Sequence, residues 1–190
     1  MKAKILIFIL GILVFSNHQT NAQSFIISTI AGDSVQGYSG DGGPATSAEV
    51  SGIEGIITDN LGNIYFSDDN RIRKIDASGL ISTIANVDDS AGYNGDGIQA
   101  TAAKLYQPSG IAVDDNGNVY IADVNNNRIR KIDKTGMIST LAGNGSKGYS
   151  GDGMAATASE LNWAIGIAID DSNNFYIADT YNERIRKIIK

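Results

Sequence analysis

The chain has 190 residues, enough for one domain of ordinary size, with 42% apolar residues, 22 Gly and 2 Pro, a globular composition that excludes wholesale disorder. It carries 15 Lys+Arg against 21 Asp+Glu, a single His at position 18 and no Cys. Without Cys there is no disulfide framework, thiol nucleophile, thiolate zinc site or lipidated N-terminal Cys.

Residues 1–22 have the three-part layout of a secretory signal peptide. Lys2 and Lys4 precede an apolar run from Ile5 to Phe15, and polar residues lead to a small residue at Ala22. Eleven residues are too few to span ~30 Å of hydrocarbon at about 1.5 Å per residue. Cleavage after Ala22 predicts an exported protein, periplasmic or secreted. It leaves 13 Lys+Arg against 21 Asp+Glu, a net charge of −8, and removes His18. An acidic surface does not suit phosphate binding, so nucleic acid is not an expected partner. No stretch of the mature chain is apolar enough to span a membrane.

The mature chain, 23–190, is one unit written three times, over about 25–85, 86–142 and 143–190. Gly37-Tyr-Ser-Gly-Asp-Gly42 recurs at 92–97 (with Asn for Ser) and at 148–153, and Arg-Ile-Arg-Lys-Ile occurs at 71–75, 128–132 and 184–188. Asp41, Asp96 and Asp152 are 55 and 56 residues apart, and so are Asp68, Asp123 and Asp179. Such a period marks a repeat architecture. The one slip is in the first copy, where Asp68-Asp69-Asn70 stands for Asp123 to Asn127.

In the second copy, Gly110–Asp114 and Asn118–Ala122 read as two strands joined at Asn116-Gly117. The dipeptide predicts a tight hairpin with φ > 0 at both central positions. Arg128–Ile132 and Met137–Leu141 follow as the third and fourth strands. Four short antiparallel strands, repeated, predict an all-β β-propeller with three blade equivalents in this chain. Ile129 and Ile132 are three apart and so face opposite sides of their strand. Blades stacked face to face would bury both; a β-bulge is the alternative.

Gly110-Ile-Ala-Val-Asp114, Gly117-Asn-Val-Tyr-Ile-Ala-Asp123 and Asn126-Asn-Arg-Ile-Arg-Lys-Ile132 resemble NHL repeats, and the resemblance covers nearly all of the mature chain. It implies a propeller, usually six-bladed, of which this chain would be half. It implies no single activity, since members include sensors, scaffolds, protein- or RNA-binding modules and a few lyases. The related lyases rely on His and metal, and the mature sequence has no His. The copies differ before the first strand, where Pro108 stands against Ile53 and Ala164, the last preceded by Trp163.

Asp68, Asp123 and Asp179 end the second strands, while Arg71, Arg128 and Arg184 begin the third. A planar guanidinium matches a carboxylate, and a pair present in every blade reads as structural. The Gly-Tyr-Ser/Asn-Gly-Asp-Gly loops lack the Lys and helix start of a phosphate cradle and miss the EF-hand spacing. Turn geometry explains each of their residues; Ca²⁺ is the one ion they leave open, and no cofactor is otherwise expected. Ala45–Val50, Ala100–Leu105 and Ala156–Leu161 read as single helical turns anchored by Val50, Leu105 and Leu161.

Strand parity gathers Tyr38, Tyr93, Tyr149, Asn126, Trp163 and Tyr181 on one face. Aromatics among amides suit recognition of a protein or a glycan, although recurring tyrosines equally suit packing beneath their own loops. Three readings compete: a non-enzymatic extracytoplasmic binding or scaffold module, which is favoured; a fragment of a larger NHL propeller; and a carboxylate-only hydrolase or lyase. Phe25–Ile30 matches the fourth strands, and the last unit lacks one. The expected consequence is a homodimer closed by N-terminal strand exchange.

Overall fold

The computed structural model describes residues 24–189. The expected signal peptide lies outside them. Among the described residues, twelve strands form three antiparallel sheets. The first comprises β1 (Ile56–Thr58), β2 (Ile64–Asp68), β3 (Arg71–Ile75) and β4 (Ile81–Ala85), in that order. The second adds β5 (Ile98–Gln99) outside β9 (Met137–Ala142), β8 (Arg128–Ile132), β7 (Val119–Asp123) and β6 (Pro108–Val113). The third has β10 (Ala164–Ile169), β11 (Phe175–Asp179) and β12 (Arg184–Ile188). This is the all-β propeller class that the repeats predict. The single turns expected in the inserts are 3₁₀ turns at Ala45–Ser47, Ala100–Ala102 and Ala156–Ala158.

The β1, β6 and β10 strands lie side by side at the inner edges of the blades. Gly110 is needed there because a Cβ would lie 2.6 Å from the Ile165 carbonyl oxygen of the next blade, and one on Gly55 would run into the Ser109 carbonyl. The blades stack through apolar clusters. Ile72 and Ala85 join Ala100, Ala103 and Leu105 in one core, and Ile129 and Ala142 join Leu161 and Ala164 in the next. Ile75 and Ile132 lie in different clusters from Ile72 and Ile129 respectively. Two-sided burial of the third strand therefore holds in the first two blades. A register shift is also present, opposite Ile72/Arg73 and Ile129/Arg130, where the fourth strand carries an extra residue.

Two local expectations change. The β6–β7 connection is a four-residue turn, closed by Gly117 N donating to Asp114 O at 2.9 Å. Gly117 has φ 78° while Asn116 stays out of the positive-φ region. The Asp114 carboxylate sets this turn by accepting from the Asn116 and Asn118 amides at 3.0 and 2.9 Å. The Phe25–Ile30 segment forms no strand; Phe25, Ile26 and Ile27 are 91%, 89% and 98% exposed. A strand needs a ladder partner, and no free edge of the first sheet meets it.

Candidate functional site

The β2–β3, β7–β8 and β11–β12 turns share one face of the molecule with the Gly-Tyr-x-Gly-Asp-Gly loops. Each loop folds over the two arginines of its own third strand. The Tyr38 ring centre is 3.9 Å from the Arg71 guanidinium carbon and 4.9 Å from that of Arg73. Tyr93 repeats this with Arg128 and Arg130 at 3.8 and 4.8 Å, and Tyr149 with Arg184 and Arg186 at 3.9 and 5.0 Å. Cation–π contact thus takes up one face of each tyrosine.

The arginine that reaches the second-strand aspartate is not the one at the start of the third strand. Arg73, Arg130 and Arg186 face Asp68, Asp123 and Asp179 at 3.1, 3.7 and 3.3 Å. Arg71 pairs across the ladder with Asp68, but its head leaves the strand end to meet Val87 O and Asp89 at 3.3 and 3.4 Å. Arg128 donates to Asn126 O and Asn144 O at 3.0 and 2.9 Å, and Arg184 donates to Asn182 O. The reason is reach. Two residues further on, Arg73 lies under the insert loop, where it also meets Asp41 Oδ1 and Ser39 O, both at 2.8 Å, and Glu49 O at 3.1 Å.

Asp123 is wholly buried. Burial pushes its carboxyl up to about 6, against hydrogen bonds from Asn126 and the Tyr106 amide and the charge of Arg130. Asp68 is raised for the same reason. Asn126 donates to Asp123 Oδ2 at 2.8 Å and to Gly92 O at 2.6 Å, so its amide ties the turn to the insert. Among the described residues, no group of three or more His, Cys, Asp or Glu is arranged to hold a metal ion.

Trp163 and Tyr181 are brought together. Their rings stack with centres 4.8 Å apart and planes 3° from parallel, and they remain 37% and 55% exposed. Trp163 sits at φ 52°, and the Tyr181 amide donates to Asn162 O at 3.0 Å. Lys147 Nζ lies 6.0 Å from the Tyr181 ring. The same two positions in the second blade hold Gln107, at φ 49°, and Asn125, whose side-chain amide donates to Gln107 Oε1 at 2.5 Å. An amide pair in one blade is therefore an aromatic pair in the next. Both substitutions are visible when the copies are aligned from Leu105 and Leu161, but the coupling between the two positions is a property of the fold. Between the first and second blades the same face has a polar cleft of about 450 Å³, lined by Glu54, Asp69, Asp89 and Gln107 among others.

Repeated antiparallel sheets stacked through buried strand faces define a β-propeller protein. The model of the Teneurin NHL domain matches residues 26–94 and 87–150, and that of the NHL repeat matches 161–188. The chain belongs to the NHL repeat family. It is similar to Teneurin-3 of Danio rerio, 30% identical over 159 residues, which is 78% of this chain and 6% of that protein. A structural genomics protein of unknown function from Bacteroides thetaiotaomicron VPI-5482 superposes with a TM-score of 0.61 at 28% identity, over 70% of this chain and 34% of that one. An auxiliary nutrient binding protein from Bacteroides ovatus ATCC 8483 does so at 0.59 and 22%, over 76% and 39%. The chain thus spans a small part of its curated relative and about a third of the solved structures. No helix among the described residues is long and apolar enough to cross a membrane.

Proposed function

We propose that this chain is a non-enzymatic, extracytoplasmic binding module that presents the loop face of its blades to a glycan or a protein segment. The observation that carries this reading is the exposed Trp163–Tyr181 stack. It offers flat apolar area beside amides and a lysine, the combination that recognises sugar faces and peptide loops. The arginines and aspartates that recur in each blade are engaged with one another, which supports a structural role for them rather than catalysis. Export rests on the layout of residues 1–22. The 6% and 34–39% shares of the relatives support a second reading, in which the blades are one unit of a larger propeller protein. A glycan and peptide array probed with the 23–190 chain tests the first. Binding that disappears in Trp163→Gln supports it; binding unchanged in that variant overturns the site.

A further inference from the structure

The three blades keep one framework and change the side chains at one pair of positions. Before each inner strand the chain passes through the left-handed region, at Gly52, Gln107 and Trp163, with φ of 55°, 49° and 52°. The partner position lies in the turn before the third strand. Asn125 N donates to Tyr106 O at 3.1 Å and Tyr181 N to Asn162 O at 3.0 Å, so the two turns seat alike. In the first blade the turn is two residues shorter, and Asp69 Oδ1 fills the space beside Gly52, 2.5 Å from where a Cβ would stand. The pairs are therefore Gly52 with Asp69, Gln107 with Asn125 and Trp163 with Tyr181. The strands around them hardly vary: Arg-Ile-Arg-Lys-Ile is identical in all three blades.

Glycine adopts this backbone without cost, and Gly52 shows that the fold accepts it. Gln107 and Trp163 keep a side chain there against backbone strain, and strain of this kind collects at functional positions. Packing does not account for Gln107. It is exposed in a blade that has a neighbour on each side. Asn125 Nδ2 donates to Gln107 Oε1, which leaves the Gln107 NH2 group and the Asn125 carbonyl without a partner among the described residues. Exchanging the roles of the two amides would leave the same set, one NH2 and one carbonyl. A donor and an acceptor thus stand side by side on the loop face.

We propose that this face binds an oligosaccharide across neighbouring blades, one sugar ring stacking at Trp163–Tyr181 and the next placing two adjacent hydroxyls on the Gln107–Asn125 pair. The proposal rests on the aromatic stack being a binding surface and adds to it the class of ligand and a second contact. The two pairs stand at the entries to β10 and β6, adjacent inner strands. A hydroxyl both donates and accepts, so a vicinal pair satisfies the free NH2 group and the free carbonyl together. On its other side Gln107 walls the polar cleft of about 450 Å³, where Glu54 and Asp69 supply acceptors for further hydroxyls. A peptide anchor needs a concave apolar pocket; here a flat ring pair is followed by amides and carboxylates. The same carboxylates repel a phosphate or sulfate group.

The test is titration of the chain with glucan, galactan and mannan oligomers of one to four sugars, beside a peptide array. One series should bind, with the second sugar tightening it about tenfold, the worth of one or two hydrogen bonds. In Gln107→Gly that gain should vanish while the melting temperature stays level or rises, since glycine relieves the strained backbone. Asn125→Ala should lose the gain as well, and Trp163→Gln should lose binding at every length. A gain that survives Gln107→Gly overturns the proposal, and a melting temperature that falls with the gain intact marks the amide pair as a structural tie. A silent sugar series, or one that binds without a gain from the second sugar, also overturns it. The two readings fail separately. Peptide binding that is lost in Trp163→Gln, with the sugars silent, overturns the oligosaccharide and keeps the binding module; sugar binding unchanged in Trp163→Gln overturns both.

Discussion

Arg73 Nη1 and Asp68 Oδ2 lie 3.1 Å apart with neither side chain exposed to solvent. Burying two charges gains little by itself, but removing one leaves the other uncompensated, at a cost of about 3–5 kcal/mol. Asp68 also accepts the Ser51 amide at 2.6 Å, so the turn into the first strand depends on it as well. Asp68→Ala should therefore destabilise the chain by about that amount in urea unfolding. Asp41 bonds the same guanidinium at 2.8 Å but is 37% exposed. Asp41→Ala should cost about 1 kcal/mol, as solvent screens that pair. Equal costs at the two positions would show that the buried partner is not the dominant one.

Gly110 and Gly97 differ in why they are glycine. A Cβ on Gly110 would lie 2.6 Å from the backbone of the next blade, whereas one on Gly97 meets nothing within 4 Å but sits at φ 73°. Gly97→Ala should cost about 1 kcal/mol in backbone strain. Gly110→Ala requires the second and third blades to move apart, and overpacking of this kind costs about 1–3 kcal/mol. Thermal unfolding ranks the two. Gly110→Ala should also raise hydrogen exchange in β10, and Gly97→Ala should not.

The difference between these glycines marks where the sequence was legible. Repeat period and strand order follow from local pattern, and the third strands, 71–75, 128–132 and 184–188, coincide with the repeated Arg-Ile-Arg-Lys-Ile. The pairing of Asp68 with Arg73 rather than Arg71 was not legible, because it depends on where the insert loop lies over the strand. The Asn116-Gly117 turn departs from the expected hairpin for a related reason: the Asp114 carboxylate, two and four residues from the amides it accepts, overrides the dipeptide's own preference. At the loop face, Trp163 and Tyr181 were each visible as exposed aromatics. That they stack on one another depends on the fold bringing the start of β10 beside the β11–β12 turn.

The raised carboxyl of Asp123 gives a pH dependence with a definite sign. Burial lifts it from 3.8 to about 6, so the fold favours the protonated form. The stability from this group is fully present below about 3.8 and is lost as pH rises through about 6, a loss on the order of 1–3 kcal/mol. Asp170 acts in the opposite sense. Hydrogen bonds from the Asn174 side chain and amide lower it to about 2, and its contribution is lost as pH falls towards that value. Asp123→Asn keeps a carbonyl acceptor for the Tyr106 amide but sets an NH2 donor against the Asn126 side-chain amide, so it lowers stability by a similar amount at every pH. It should remove the decline between pH 4 and 6 while leaving the acid limb intact. Melting profiles of the two proteins with the same slope across that window would show that Asp123 titrates normally.

Trp163 is the single tryptophan of the chain, so its emission reports the loop face alone. Its position tolerates other residues: the first and second blades hold Gly52 and Gln107 there, at φ 55° and 49°. Trp163→Gln should therefore fold, with stability lowered by about 0.5–1.5 kcal/mol for the lost aromatic pair. Tyr181→Ala uncovers one indole face, and the emission of the folded protein should shift to longer wavelength. A glycan or peptide that stacks on the free ring should shift the wild-type emission to shorter wavelength and quench or enhance it saturably. The same ligand should bind Tyr181→Ala more weakly, because Tyr181 holds the indole in its plane. Unchanged emission in Tyr181→Ala would mean that the two rings do not stack in solution. Undiminished binding would place the ligand elsewhere on this face, with the cleft beside Glu54 and Asp69 as the next site to substitute.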